Sequence, residues 1–90
     1  MRNQDVIKAF VNKGKVAKGN SVFSTGDKLF SYDTIIAERI NGKVYVNPTK
    51  YSVTTSKAQG YLRYELNGCG VEVSSNVPRN TQSLVNYIQK

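Results

Sequence analysis

The chain has 90 residues, enough for one domain with a modest core, and 13 basic against six acidic residues give a formal net charge of +7. Its 39% hydrophobic content, with six Tyr and three Phe, excludes a disordered chain. No run approaches the roughly 20 apolar residues of a membrane-spanning helix and no signal-type segment begins the chain, so we expect a single domain over residues 1–90 in the cytoplasm.

The available side chains argue against an enzyme. Histidine is absent, so no imidazole base exists, and Cys69 is the single cysteine, which leaves no internal disulfide. The scattered acids and the single thiol do not form a metal-ligand pattern, and the glycines form neither a P-loop nor a dinucleotide fingerprint. We therefore expect no catalysis, no metal and no cofactor.

The first predicted element is a short amphipathic helix over residues 3–12. Its apolar residues form one stripe, an Asn or Asp at its start can act as the N-cap, and Gly14 ends it. Lysines then follow in quick succession up to Lys18. Because these lysines fall mostly after the apolar stripe, we predict a solvated loop or arm there.

Two β-hairpins are predicted next. The first joins residues 21–25 and 28–32 through a Gly26-Asp27 turn, which places Phe23 opposite Phe30. The second joins residues 34–40 and 43–47, and Pro48 should end its second strand because proline lacks the N–H donor.

Asn41-Gly42 is the turn of the second hairpin and fixes its register, because both residues accept positive φ. The predicted cross-strand pairs are Ile40 with Lys43, Arg39 with Val44, Glu38 with Tyr45 and Ala37 with Val46. Strict alternation would place one set of side chains in the core, namely Ile35, Ala37, Val44 and Val46. The opposite, half-apolar face would then carry Ile36, Glu38, Ile40 and Tyr45.

A second helix is predicted over residues 57–66. Ser56 and Gln59 have the spacing of a capping box at its start, and Asn67-Gly68 supplies a C-terminal stop. Gly60 within this helix costs about 1 kcal/mol relative to alanine. We therefore expect another group to pack closely against Gly60.

The C-terminal residues predict an edge strand and a terminal helix. Residues 71–75 alternate as an edge strand does, and Pro78 breaks the pattern. Asn80 or Thr81 is then a candidate N-cap for a helix that carries Leu84, Val85 and Ile88.

The predicted fold class is α+β. A small antiparallel β-meander of three or four strands over residues 21–47 would carry the helix of residues 57–66 on one face, with short terminal helices around it. The strand near Val73 would extend the sheet at one edge.

A candidate interface follows from the charge pattern. From Arg39 to Tyr64 the chain has five basic residues, four tyrosines and no acid. Cations that neutralise phosphates, interleaved with rings that stack, are typical of nucleic-acid surfaces, and hydroxyls at a helix start add donors. The candidate binding residues are Lys43, Tyr45, Lys50, Tyr51, Thr54, Thr55, Lys57 and Arg63. The competing interpretation is that the hydroxyls only cap the helix and that Tyr61 belongs to the core.

The run Tyr51-Ser52-Val53-Thr54-Thr55-Ser56-Lys57-Ala58-Gln59 is preceded by Lys43-Val44-Tyr45-Val46-Asn47. On these residues the sequence from Ser31 to Leu66 resembles a family of short uncharacterised proteins of bacteriophages, prophages and related mobile elements, catalogued as a domain of unknown function. Thr54-Thr55-Ser56-Lys57 is the most specific part of the resemblance. The family pattern commonly has a histidine where this chain has Ala58, so a shared function that depends on that histidine is not expected here. The resemblance implies an accessory phage gene product and supplies no activity.

Three functional hypotheses remain at this point. The first is a small non-enzymatic accessory protein that binds nucleic acid or a nucleoprotein through its basic, tyrosine-rich face. The second is a protein-directed inhibitor of a host defence system, of the anti-CRISPR type, which at +7 would grip an acidic surface or a ribonucleoprotein. The third is a homodimer formed through the half-apolar strand face and the edge near Val73. A phage-encoded chain would act in the cytoplasm of the host.

Overall fold

The structure is a computed structural model of the chain, and it describes residues 2–73, 77–79 and 81–88. Its elements are α1 (Asn3–Lys13), β1 (Val16–Lys18), β2 (Val22–Thr25), β3 (Lys28–Ser31), β4 (Thr34–Ile40), β5 (Lys43–Val46), α2 (Val53–Leu66), β6 (Val71–Glu72) and a 3-10 turn (Val85–Tyr87). A six-stranded sheet with two α-helices within these residues is an α+β fold. The predicted fold class is confirmed.

The six strands lie side by side in chain order. β1 to β5 form an antiparallel meander, and β6 pairs in parallel with β5 after the chain crosses over through α2. The predicted meander corresponds to β2–β5, and β6 is the predicted edge strand, of which residues 74 and 75 lie outside the described residues. A loop was predicted where β1 stands, and this was wrong. Lys15 and Lys18 are exposed, but Ala17 between them packs on the core. Exposed lysines on an edge strand protect the sheet from pairing with another chain.

Both hairpins form as predicted. Phe23 lies opposite Phe30, and the two rings stack with their centroids 5.0 Å apart. Asn41 and Gly42 both adopt positive φ, at 52° and 82°. The four predicted cross-strand pairs of the second hairpin are all present. Turn chemistry alone therefore sets the register of β4 and β5.

A bulge in β4 changes which of its residues face the helices. Ala37 pairs with Leu29 and Ile35 pairs with the next residue of β3, so Ile36 is the extra residue. Ile36 and Ala37 both pack in the core beneath the helices, whereas Ile35 packs on the opposite face with Tyr45. The predicted grouping of Ile35 with Ala37, and of Ile36 with Tyr45, was wrong because period-two alternation does not continue through a bulge.

The two helices lie on one face of the sheet and pack against each other. The core beneath them contains Val6, Ile7, Phe10, Val22, Leu29, Ile36, Ala37, Val46, Ala58, Leu62 and Leu66. α1 ends as predicted, with Gly14 in the left-handed region at φ 57°. Its start differs, because Arg2 stands at the N-cap position without a side-chain cap. Asn3 instead accepts the backbone N–H groups of Ser21 and Val22, at 3.0 and 3.2 Å, and ties α1 to the sheet.

The C-terminal residues cover the other face of the sheet. Val77 and Leu84 are buried there against Phe30 and Ile35. The Glu38 carboxylate accepts the N–H of Leu84 at 2.7 Å, so the chain is bonded to the sheet at this point. The predicted terminal helix is present only as one 3-10 turn, Val85–Tyr87, which follows Leu84 and carries an exposed Val85. The predicted cap at Asn80 lies outside the described residues.

This packing covers part of the surface that was predicted for dimerisation. Ile36 is fully buried beneath the helices, and Val73 is buried in the second core. Tyr45 is half-buried and packs against the same second core. Three of the residues predicted for the dimer interface therefore already pack within the chain.

α2 begins four residues earlier than predicted. Ser52 has extended backbone angles, and its hydroxyl accepts the N–H of Thr55 at 3.2 Å. The Thr55 hydroxyl lies 3.2 Å from the Ser31 hydroxyl, which joins the first turn of α2 to β3. The predicted capping box was wrong, since Ser56 is exposed within the helix and Gln59 donates to the carbonyl of Asn47. Asn67 is left-handed at φ 50° and ends α2 as predicted.

Replacing Ser52 by alanine should remove the N-cap and lower the free energy of unfolding by about 1 kcal/mol. In a domain of this size the melting temperature would fall by roughly 4 to 8 °C, measured by circular dichroism. Ser56→Ala is the matched control, and it should leave the melting temperature unchanged or slightly raised, because alanine is the better helix former. The reverse order of the two variants would assign the cap to Ser56.

Candidate functional site

α2 presents one stripe to the sheet and another to solvent. Its buried residues are Thr55, Ala58, Gln59, Leu62 and Leu66. Thr54, Lys57, Gly60, Tyr61 and Tyr64 recur at helical spacing along a different side. The helical period produces both stripes. The second stripe is exposed except for the half-buried Tyr61, and it borders α1 along one side.

A groove of about 560 Å³ lies between α2 and α1. Its lining consists of Asn3, Gln4, Ile7, Thr54, Lys57, Ala58, Gly60, Tyr61 and Tyr64. Among these described residues there is a cation and no acid, and Lys8 is exposed one helical turn beyond Gln4. The volume lies within the range of about 300 to 1,000 Å³ that is usual for ligand sites.

Two tyrosines form one end of the groove. The rings of Tyr61 and Tyr64 lie 6.0 Å apart between centroids and are tilted by 44°. Tyr61 is half-buried and packs against the core, which agrees with the structural interpretation of this residue. Tyr64 is 76% exposed. Its ring face is therefore available to a flat partner.

Three polar side chains of the groove have no internal partner. Gln4, Thr54 and Lys57 make no side-chain hydrogen bond or ion pair with the part of the chain that the structure describes. By contrast, Gln59 donates to the carbonyls of Asn47 and Thr49, at 2.8 and 2.9 Å. The fold does not use the side chains of Gln4, Thr54 and Lys57, so these three are free to bind a ligand.

Gly60 lies in the middle of this groove. We predicted that another group packs against it, and within the described chain this was wrong. A Cβ built on Gly60 meets nothing within 4 Å, and its φ is not positive. Neither close packing nor backbone strain therefore accounts for a glycine in the interior of α2.

Two of the candidate binding residues are occupied by structural roles. The Tyr51 hydroxyl accepts from the Asn47 side chain at 2.9 Å and donates to the carbonyl of Val77. Thr55 is buried and belongs to the cap of α2. Both hydroxyls hold the start of α2 in place and do not face the groove.

The remaining candidates are distributed over several surfaces. Thr54 and Lys57 line the groove, and Lys50 is exposed in the loop before α2. Lys43 shares a face of β5 with Tyr45, opposite the helices. The list ends with Arg63, which forms an exposed ion pair with Glu72 at 3.6 Å. The structure thus brings together Thr54 and Lys57, with Gln4, Gly60 and Tyr64 as residues that the sequence analysis missed.

A second, smaller groove of about 330 Å³ begins on the other side of Thr54. Tyr32 and Arg79 border it, and Tyr32 is exposed and left-handed at φ 56°. The hydroxyls of Tyr51 and Thr55 at this groove are already bonded within the chain. The groove between the helices is therefore the better candidate site.

The family model of DUF8033, a family of unknown function, matches residues 3–71. The chain belongs to this family. The match includes the stretch from Ser31 to Leu66 on which the resemblance rests, and it confirms a domain of unknown function. Both helices of the groove and all six strands begin within the span of the DUF8033 match. No curated protein and no solved structure matches the chain significantly.

The described residues contain neither a membrane-spanning helix nor a metal-binding cluster. None of the helices there is long and apolar enough to span a membrane. The same residues contain no group of three or more Cys, Asp or Glu side chains that could hold a metal ion.

Proposed function

We propose that this chain is a small non-enzymatic accessory protein, of the kind that phages and mobile elements encode, which binds nucleic acid or a nucleoprotein. The binding surface is the groove between α1 and α2. The observation that carries the proposal is the lining of this groove, where Lys57 and the exposed ring of Tyr64 lie together without an acid.

The net charge supports the same class of partner. A charge of +7 attracts polyanions over the whole surface, but that attraction does not by itself select a binding site. Lys57, like Lys43, has no carboxylate partner in the described chain, whereas Arg63 is paired with Glu72, and the groove adds a local selection because it places Lys57 beside the exposed ring of Tyr64. A phosphate at the groove would meet a cation that no internal ion pair neutralises.

The test compares two charge reversals that change the net charge equally. Lys57→Glu, in the groove, should weaken the binding of a fluorescent oligonucleotide about tenfold at low ionic strength and flatten the salt dependence. Lys43→Glu, on the opposite face of the sheet, should weaken it much less. Fluorescence anisotropy over a range of salt concentrations measures both, and thermal unfolding checks that both variants fold.

The outcomes separate the alternatives. Equal losses in the two variants would mean that only the total charge acts and that the groove is not the site. A larger loss for Lys43→Glu would move the interface to the other face. If the unaltered protein binds neither DNA nor RNA at low salt, direct nucleic-acid binding is wrong, and a protein-directed inhibitor that grips an acidic protein or a ribonucleoprotein becomes the leading hypothesis.

A further inference from the structure

We infer that the groove takes single-stranded nucleic acid, with a base stacked on Tyr64 and the sugar-phosphate backbone passing over Gly60 towards Lys57. This inference rests on the proposed function and narrows its ligand to one class. Three features of the groove lead to it.

The first feature is the exposed ring at the end of the groove. Tyr64 offers a ring face to solvent, and Tyr61 supports it from 6.0 Å. In a duplex the faces of the bases are covered by their neighbours, so an aromatic side chain can stack only on an unpaired base. A duplex would use the cations of this surface and leave the ring of Tyr64 without a role.

The second feature is the bare backbone at Gly60. Glycine weakens the interior of a helix, and within the described chain nothing approaches this position. Gly60 lies three residues after Lys57 and four before Tyr64, on the same side of α2. A ligand that spans from the cation to the ring must cross Gly60, and the missing Cβ allows it to approach the helix closely.

The third feature is a pair of polar side chains without an internal partner, Gln4 on the α1 wall of the groove and Thr54 at the start of α2. The side-chain amide of Gln4 has both a donor and an acceptor, and Thr54 has a hydroxyl, as the edge of an unpaired base or a sugar requires. Asn3 lies beside Gln4 on the α1 wall, but its side-chain amide is already hydrogen-bonded to Ser21 and Val22. Gln4 is therefore the residue that can contact a base edge.

The first experiment compares a labelled single strand with a hairpin duplex of the same base composition, both DNA, in fluorescence anisotropy with the unaltered protein. Single-strand binding that is at least about tenfold tighter supports the inference, since each stacked base contributes about 1 to 3 kcal/mol. Equal binding of the two DNAs, with both weakened by Lys57→Glu, would overturn the inference and leave the proposed function standing. Failure to bind the hairpin, and failure to bind the single strand made either as DNA or as RNA, would overturn both the inference and direct nucleic-acid binding.

The second experiment alters the ring. Tyr64→Ala should weaken single-strand binding about tenfold, whereas Tyr64→Phe should retain it because the ring remains. Tyr32→Ala removes another exposed tyrosine, outside the groove, and should change the affinity by less than about twofold. Loss of binding in Tyr32→Ala but not in Tyr64→Ala would place the stacking site elsewhere and overturn the inference.

The third experiment alters Gly60. Gly60→Ala should raise the melting temperature by about 3 to 6 °C, because alanine favours the helix and its methyl group meets no atom of the described chain. The same variant should bind the single strand about fivefold more weakly, because the methyl group stands where the ligand approaches. A stabilised variant that binds as tightly as the unaltered protein would contradict the close approach at Gly60.

Discussion

Replacing Arg39 by alanine should lower the free energy of unfolding by about 3 kcal/mol. The Arg39 guanidinium donates to the carbonyls of Phe10 and Val11 in the last turn of α1, at 2.8 and 3.2 Å, and to that of Gly26 at 3.3 Å. It also lies 5.0 Å from the centre of the Phe10 ring. One side chain thus closes the C-terminal end of α1, joins it to the β2–β3 turn and covers an aromatic core residue.

Two further substitutions separate these contributions. Arg39→Lys keeps the charge but loses the planar fork, so we expect about half of the loss. Arg63→Ala removes an exposed arginine whose ion pair with Glu72 is 3.6 Å long, and it should cost less than about 0.5 kcal/mol. Urea unfolding of the three variants measures the differences. If Arg39→Ala is no less stable than Arg63→Ala, the contacts of Arg39 with α1 contribute nothing to the free energy of unfolding.

The hydrogen bonds from Arg39 to the last turn of α1 also affect the position of one wall of the groove. α1 supplies Gln4 and Ile7 to one wall, and α2 supplies the other. Asn3 fixes the first turn of α1 to the sheet, and Arg39 fixes its last turn. Because both ends of α1 are attached by side-chain hydrogen bonds, the width of the groove is set by the fold and does not depend on the packing of α1 against α2 alone.

The sequence predicts most of the sheet because hairpin turns are local. Gly26-Asp27 and Asn41-Gly42 determine two registers, and both are confirmed. The bulge at Ile36 was not predictable, because it depends on how β4 pairs with β3 across a turn that contains no glycine. Tyr32 at that turn is left-handed, a conformation that no sequence rule assigns to tyrosine. A single extra residue there reversed the faces of Ile35 and Ile36.

The start of α2 shows a second limit of local rules. Ser52 and Ser56 are both serines followed at the third position by a side chain that can take part in a cap, so the sequence offers two starts. The choice is made by Gln59, whose amide is used by the loop after β5. Tertiary contacts therefore decide between two caps that are locally equivalent.

The candidate site could be predicted only in part, because local patterns do not reveal long-range contacts. The basic, tyrosine-rich composition pointed to α2, and two of its candidate residues, Lys57 and Thr54, line the groove. Tyr64 and Gly60 share the helical spacing of Lys57, so that spacing could have found them. Gln4 could not have been found, because the approach of α1 to α2 is a long-range contact that no local pattern predicts.

A fully buried asparagine should be at least as sensitive as the half-buried Arg39. Asn47 is fully buried after the end of β5, and its amide nitrogen donates to the Ile35 carbonyl and the Tyr51 hydroxyl, at 2.8 and 2.9 Å. Its amide oxygen accepts the N–H of Thr49 at 3.0 Å. Asn47→Asp has nearly the same shape but places a carboxylate oxygen against the Ile35 carbonyl. We expect a loss of about 4 kcal/mol in the free energy of unfolding, measured in urea.

Asn20→Asp is the matched control for this substitution, because it makes the same chemical change at an exposed residue. It should cost less than about 0.5 kcal/mol. Equal stability of the two variants would mean that the loop before α2 does not depend on Asn47. The expected difference has a functional consequence, since Gln59 binds the main-chain carbonyl of Asn47 from within α2. A loosened Asn47 would displace the first turns of α2, so Thr54 and Lys57 would lose their positions in the groove before the sheet itself unfolds.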